Sequence, residues 1–176
     1  MKKLKLFLIF ALLYSVLPAQ TKVIIGMSPD SVKKIFPEAK EETFKRTTTL
    51  AVKATVYGLE DEWNYRFNND KLDWIFFDKY IDSLNEQNFK LCLSATQNLI
   101  KDYTKAYGKP DTTIKGNFRF VDPYKKHHWG YPVLEARWKN YKGMKIKAQF
   151  TFMGGKGQYH FLVKVNYFDK NYPYYD

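Results

Sequence analysis

Apolar and polar positions along the chain follow two rhythms, and each rhythm occurs twice. The first helical stretch begins at Gly26-Met27-Ser28 and runs through Pro29 to Phe36, where Pro37 stops it. Ser28 stands where an N-cap is expected, and Pro29 occupies the first helical position, where a missing N–H costs nothing. Val32, Ile35 and Phe36 share one face at helical spacing. Alternation with period two follows in three runs, 47–57, 62–67 and 71–77. Leu50, Val52, Ala54 and Val56 mark the inward face of the first run; Trp63, Tyr65 and Phe67 mark the second; Leu72, Trp74 and Phe76 mark the third. Such alternation describes strands covered on one side only. Gly58 to Asp61 and Asn68 to Asp70 are the expected turns.

The pattern then returns. Ser83 and Glu86 have capping-box spacing, and Phe89, Cys92, Thr96, Leu99, Tyr103 and Tyr107 form a stripe that Gly108 and Pro110 end. Three further alternating runs follow. Their inward residues are Leu134, Ala136 and Trp138; then Met144, Ile146, Ala148, Phe150 and Phe152; then Tyr159, Phe161, Val163, Val165 and Tyr167. Asn140 to Gly143 and Gly154 to Gly157 are hairpin turns. The expected fold is α+β: two helix-plus-three-strand units forming one antiparallel sheet, with helices on one face and the other face open to solvent. The units span 20–82 and 83–176 of one globular domain.

Residues 1–19 read as an address rather than as structure. Lys2, Lys3 and Lys5 precede an apolar run from Leu6 to Leu17, and Pro18-Ala19-Gln20 closes it, as in a secretory signal peptide cut after Ala19. A run of about twelve residues is too short to cross a bilayer core of roughly 30 Å. No cysteine stands at the junction, so the expected product is exported, periplasmic or secreted, without a lipid anchor and without a transmembrane segment. The only cysteine in the chain, Cys92, lies on the helical stripe and reads as a small buried hydrophobe. No internal disulfide is available, and packing must hold the fold together. Aromatic residues make up 18% of the chain, which suits strands that fill a core with broad side chains.

Charge sharpens the functional expectation. The chain has 29 basic and 18 acidic side chains, a net of +11, and loss of the three leader lysines leaves +8. Such a protein attracts anionic partners through its long-range field. Export argues against nucleic acid and for an anionic envelope polymer, a glycolipid or an acidic protein. The candidate partner-binding residues are those at outward positions of the strands: Lys53, Arg66, Arg137, Lys139, Lys145, Lys147 and Lys164. The matching acids are Glu62, Asp73 and Glu135. Ile75, Phe77, Met153 and Leu162 share the outward parity and would add apolar contact.

The segment 111–128 is the other candidate. It interleaves Phe118, Phe120 and Tyr124 with Arg119, Lys125, Lys126, His127 and His128, a mixture able to stack on sugars or bases. The plainer reading, a loop folded over the sheet edge or a short strand at 117–121, is preferred. An envelope hydrolase using His127, His128 or His160 with a nearby acid is the alternative function; a periplasmic assembly or structural subunit is the other. No His-x3-His or Cys-x2-Cys spacing supports a metal site. Gly154 to Gly157 precedes a strand, whereas a phosphate cradle needs a helix. No catalytic residue, metal or cofactor is therefore assigned.

Ile25-Gly26-Met27-Ser28, with Val32-Lys33 after it, resembles the helix start of the β-lactamase-inhibitor-protein-like fold, which includes secreted inhibitor proteins and the small SmpA/OmlA-type lipoproteins of outer-membrane assembly. Tyr107-Gly108-Lys109-Pro110 is similar to the helix exit of such units. The resemblance implies tandem helix-plus-meander units and a non-catalytic binding role through a sheet face. This chain departs from the pattern in three ways: it lacks the lipidation cysteine, it lacks the inhibitors' disulfides, and its second unit has no Gly-Met-Ser start.

Overall fold

A computed structural model describes residues 22–116, 132–155 and 158–172. The leader reading of 1–19, the greater part of the 111–128 segment with His127 and His128, and the last four residues lie outside the described residues. The protein is α+β. Two helices and eight strands are described: α1 (Pro29–Ile35), β1 (Lys40–Phe44), β2 (Thr47–Val56), β3 (Leu59–Asn68), β4 (Lys71–Ile81), α2 (Glu86–Tyr107), β5 (Thr112–Lys115), β6 (Pro132–Tyr141), β7 (Met144–Gly155) and β8 (Gln158–Asp169). The hydrogen-bonded strand order is β1-β2-β3-β4-β8-β7-β6-β5, an eight-stranded antiparallel sheet. Backbone contacts divide the chain into two compact units, one ending at Ile75 and the other beginning at Phe76.

In the first unit, Ser28 caps α1 by accepting a hydrogen bond from the Ser31 amide at 3.3 Å, with Pro29 directly after it. The segment before the helix is tied to β4: Gly26 N–H donates to Leu72 O at 2.8 Å, and Leu72 N–H donates to Met27 O at 2.9 Å. Gly26 has φ of +95°, a conformation that suits glycine. Leu50, Val56, Leu59, Trp63, Tyr65, Phe67 and Leu72 form the core, and the Phe36 ring stacks on Tyr65 with centroids 5.4 Å apart. Burial of each large side chain contributes about 1.5–3 kcal/mol. β1, with sequence KEETF, is exposed along its whole length. It carries no alternation, which is why the sequence pattern shows three strands after the helix where the structure has four.

The hairpins are tighter than expected. Val56 pairs with Leu59, leaving Tyr57 and Gly58 as a two-residue turn with φ of +49° and +84°. Asn69 and Asp70 between β3 and β4, and Lys142 and Gly143 between β6 and β7, repeat this pair of positive φ angles. These are the primed turns whose twist matches that of the flanking strands.

β4 corrects one part of the sequence reading. Leu72 is buried, but the next buried residues are Ile75 and Phe77, at 1% and 0% exposure, while Trp74 and Phe76 are half-buried. The expected inward pair therefore faces the other way, and Ile75 and Phe77 offer no outward contact. The alternation slips at Asp73-Trp74, where both residues serve Arg66. Asp73 accepts from Arg66 Nε at 3.1 Å and from its terminal nitrogen at 3.0 Å, and the guanidinium lies 4.6 Å from the Trp74 ring centre. Two successive residues turned to one partner have the burial pattern of a β-bulge.

In the second unit, the cap of α2 is Asn85, whose side chain accepts from the Asn88 amide at 2.8 Å. Ser83 stands two residues earlier, accepting from the Asn85 side chain at 3.0 Å. Phe89, Cys92, Thr96, Leu99 and Tyr103 are buried as the stripe requires, and Gly108 ends the helix at φ of +83°. The helix packs on one face of β6, β7 and β8. Phe89 meets Phe150 and Phe161 at 5.3 and 5.9 Å between ring centres. Trp138 Nε1 donates to Gly108 O at 2.8 Å, and Tyr167 Oη donates to Tyr103 Oη at 2.6 Å. Burial pushes the Cys92 thiol up to about 12, in keeping with a packing role. β5 is short and largely exposed, so its alternation was too brief to read.

Candidate binding face of the second unit

Strand register places the outward residues of the second unit in rows. Arg137 lies opposite Lys147, and Lys147 lies opposite Asn166; Glu135 lies opposite Gln149, and Gln149 lies opposite Lys164. Like charges placed directly opposite repel, and Arg137 and Lys147 coexist because Glu135 holds both. Glu135 accepts from Arg137 Nε through one oxygen and lies 3.5 Å from Lys147 Nζ through the other. Its residue exposure is only 3%. At the β4 side, Lys164 Nζ lies 3.0 Å from Asp78 Oδ2. Burial lowers the Lys147 pKa, and Arg137 and Lys164 act in the same direction, while the Glu135 charge opposes them.

This face is half-buried rather than open. Thr151, Leu162, Asn166 and Phe168 are also buried on it. Gln149 Nε2 donates to Thr151 Oγ1 at 2.7 Å, which leaves Gln149 Oε1 buried without a hydrogen-bond partner among the described residues. His160 Nε2 is in the same condition, and its ring makes an edge contact with Tyr80 at 4.9 Å. A buried polar atom without a partner costs roughly 1–3 kcal/mol, a cost that a ligand donor or a water relieves.

The structure therefore gathers Arg137, Lys147 and Lys164 into one cluster and interleaves it with Glu135 and Asp78. Lys139 and Lys145 flank it by strand alternation, Lys139 exposed and Lys145 half-buried opposite Phe168. Lys53 and Arg66 belong to the first unit. Lys53 is exposed and lies opposite Glu62, and Arg66 is engaged by Asp73 and Trp74. Sequence parity did not single out Asp78, Tyr80 or Gln149. For Asp78 and Tyr80 the obstacle was the slip in β4, which reverses the parity of everything after it. Among the described residues no three or more His, Cys, Asp or Glu side chains gather as a metal would require, and no helix is long and apolar enough to cross a membrane.

No protein-family model, curated protein or solved structure matches this chain.

Proposed function

We propose that this is an exported, non-catalytic binding protein, periplasmic or secreted and not lipid-anchored, whose second unit holds an anionic envelope component on the outer face of β6–β8. The observation that carries the reading is the cluster of Arg137, Lys147 and Lys164, half-buried and interleaved with Glu135 and Asp78. Partly desolvated cations bind an anion more strongly than fully hydrated ones do, because less water must be stripped from them on contact. The carboxylates and amides set among the cations suit a ligand with an anionic group beside hydroxyls, as in an acidic envelope polymer or a glycolipid headgroup. Lys139 and Lys145 extend the positive field at the rim. The tandem helix-plus-strand plan implied by the β-lactamase-inhibitor-protein-like resemblance belongs to the same proposal.

The test is binding to immobilised polygalacturonate and to vesicles carrying an anionic glycolipid, compared between the wild-type chain and the double variant Lys145→Glu, Lys147→Glu. Two reversed charges weaken capture by about tenfold or more if each is worth close to a kcal/mol. Unchanged capture of both probes removes this face as the site. Preference for an acidic protein over both probes moves the partner to that class. Cleavage of the polymer by the pure protein overturns the non-catalytic reading.

A further inference from the structure

On the helix side of the second unit lies a cleft of about 400 Å3, within the size range of ligand sites. Leu93, Gln97 and Ile100, one face of α2, form one wall. Thr113 and Lys115 of β5 form the other, with Leu134 of β6 in the floor. Among the described residues β5 is the terminal strand in the sheet order. Its register with β6 pairs Ile114 with Glu135 and Lys115 with Leu134, and Gly116 N–H donates to Val133 O at 3.0 Å. In an antiparallel ladder, residues alternate between facing the partner strand and facing away. Thr112, Ile114 and Gly116 therefore direct their amide groups to β6. Thr113 and Lys115 direct theirs to the sheet edge, while their side chains enter the cleft.

An edge of this kind, with main-chain donors and acceptors beside an apolar trough under a helix, is a template for strand addition. We propose that the cleft between α2 and β5 receives an extended polypeptide segment of a partner, which pairs with β5 as an added strand. An apolar side chain of the segment seats against Leu93, Ile100 and Leu134. An acidic side chain of the segment pairs with Lys115, the charged residue of the lining, which holds no carboxylate among the described residues. A lipid chain fits the apolar walls but offers nothing to the edge-facing amide groups of Thr113 and Lys115, whereas a polypeptide backbone carries the donors and acceptors that pair with them. This site is separate from the outer sheet face and does not depend on it.

The experiment pans a phage-displayed library of random peptides on the full chain and on Thr113→Pro. Proline at 113 removes an amide that faces away from β6, so the ladder survives, and circular dichroism and thermal melting confirm the fold. The expected result is enrichment of peptides that alternate apolar and acidic residues. A synthetic copy of an enriched peptide, followed by fluorescence anisotropy, loses at least tenfold in affinity on Thr113→Pro and on Lys115→Glu. Gln97→Trp fills the cleft from the exposed face of the helix; it gives the same loss and serves if Thr113→Pro does not fold. Enrichment equal on wild type and Thr113→Pro overturns the proposal. So does concentration-dependent dimerisation that Thr113→Pro abolishes, which would make a second copy of this chain the occupant. Binding of vesicles of neutral lipid that Gln97→Trp blocks, without any peptide enriched, also overturns it.

Discussion

Glu135 joins two like charges that strand register forces together. Its carboxylate is nearly sealed from solvent, while Arg137 and Lys147 keep about a quarter of their side-chain surface exposed. Glu135→Gln leaves those cations facing each other without an intervening negative charge. Removing one partner of a fully buried pair costs about 3–5 kcal/mol, and the partial exposure of these cations reduces the expected loss to roughly 1–3 kcal/mol. Urea unfolding at neutral pH measures it. Lys147 gives a second prediction. Its folded pKa lies below the ordinary lysine value, so between the two the unfolded chain holds the extra proton. Stability from this residue therefore rises as pH climbs through that window, and below it the buried charge opposes folding. Lys147→Met should show a smaller rise in stability toward pH 10.5 than the wild type, read from denaturant midpoints across the range. An equal rise in both chains sinks the assignment.

At the scale of elements, α2 depends on its ends. The Asn85 side chain satisfies one orphan amide of the first turn, and Asn85→Ala is expected to cost about 1 kcal/mol, seen as a lower melting temperature. The hairpins carry a complementary prediction. Lys142 holds a left-handed conformation at φ of +49° ahead of Gly143, which asparagine adopts with less strain than lysine. Lys142→Asn should stabilise the β6–β7 hairpin by up to about 1 kcal/mol, detected as slower amide exchange in both strands. The stripe of α2 and the inward faces of β2, β3, β6, β7 and β8 were legible because burial on one side imposes a strict period. β1 and β5 were not, since a strand with little buried side-chain surface has no reason to alternate. Asn85 rather than Ser83 was chosen as the cap by the chain path, which a capping-box spacing alone does not encode.

For the whole molecule, the excess of basic over acidic side chains acts at long range. Capture of an anionic polymer should weaken steeply as salt rises from 0.05 to about 0.5 M, because the screening length falls below about 10 Å in this range. Binding of the cleft peptide should change less, since only its ion pair with Lys115 is screened while backbone pairing and apolar contact are not. Measuring both on the same preparation separates the two surfaces. A flat salt response for the polymer rules out electrostatic capture.

Composition and period determined the α+β class, the amphipathic helices and the inward residues of most strands, because a sheet or helix buried on one side writes its geometry directly into residue order. The positions of charges relative to one another were decided only on folding. Trp74 was turned to Arg66 beside Asp73 by a slip in β4, and Arg137, Lys147 and Lys164 were brought among Glu135 and Asp78 by strand register. Neighbours across strands are distant in sequence, and a one-residue slip reverses every face beyond it. Which cations stand together, and which acid lies between them, is therefore a property of the tertiary fold.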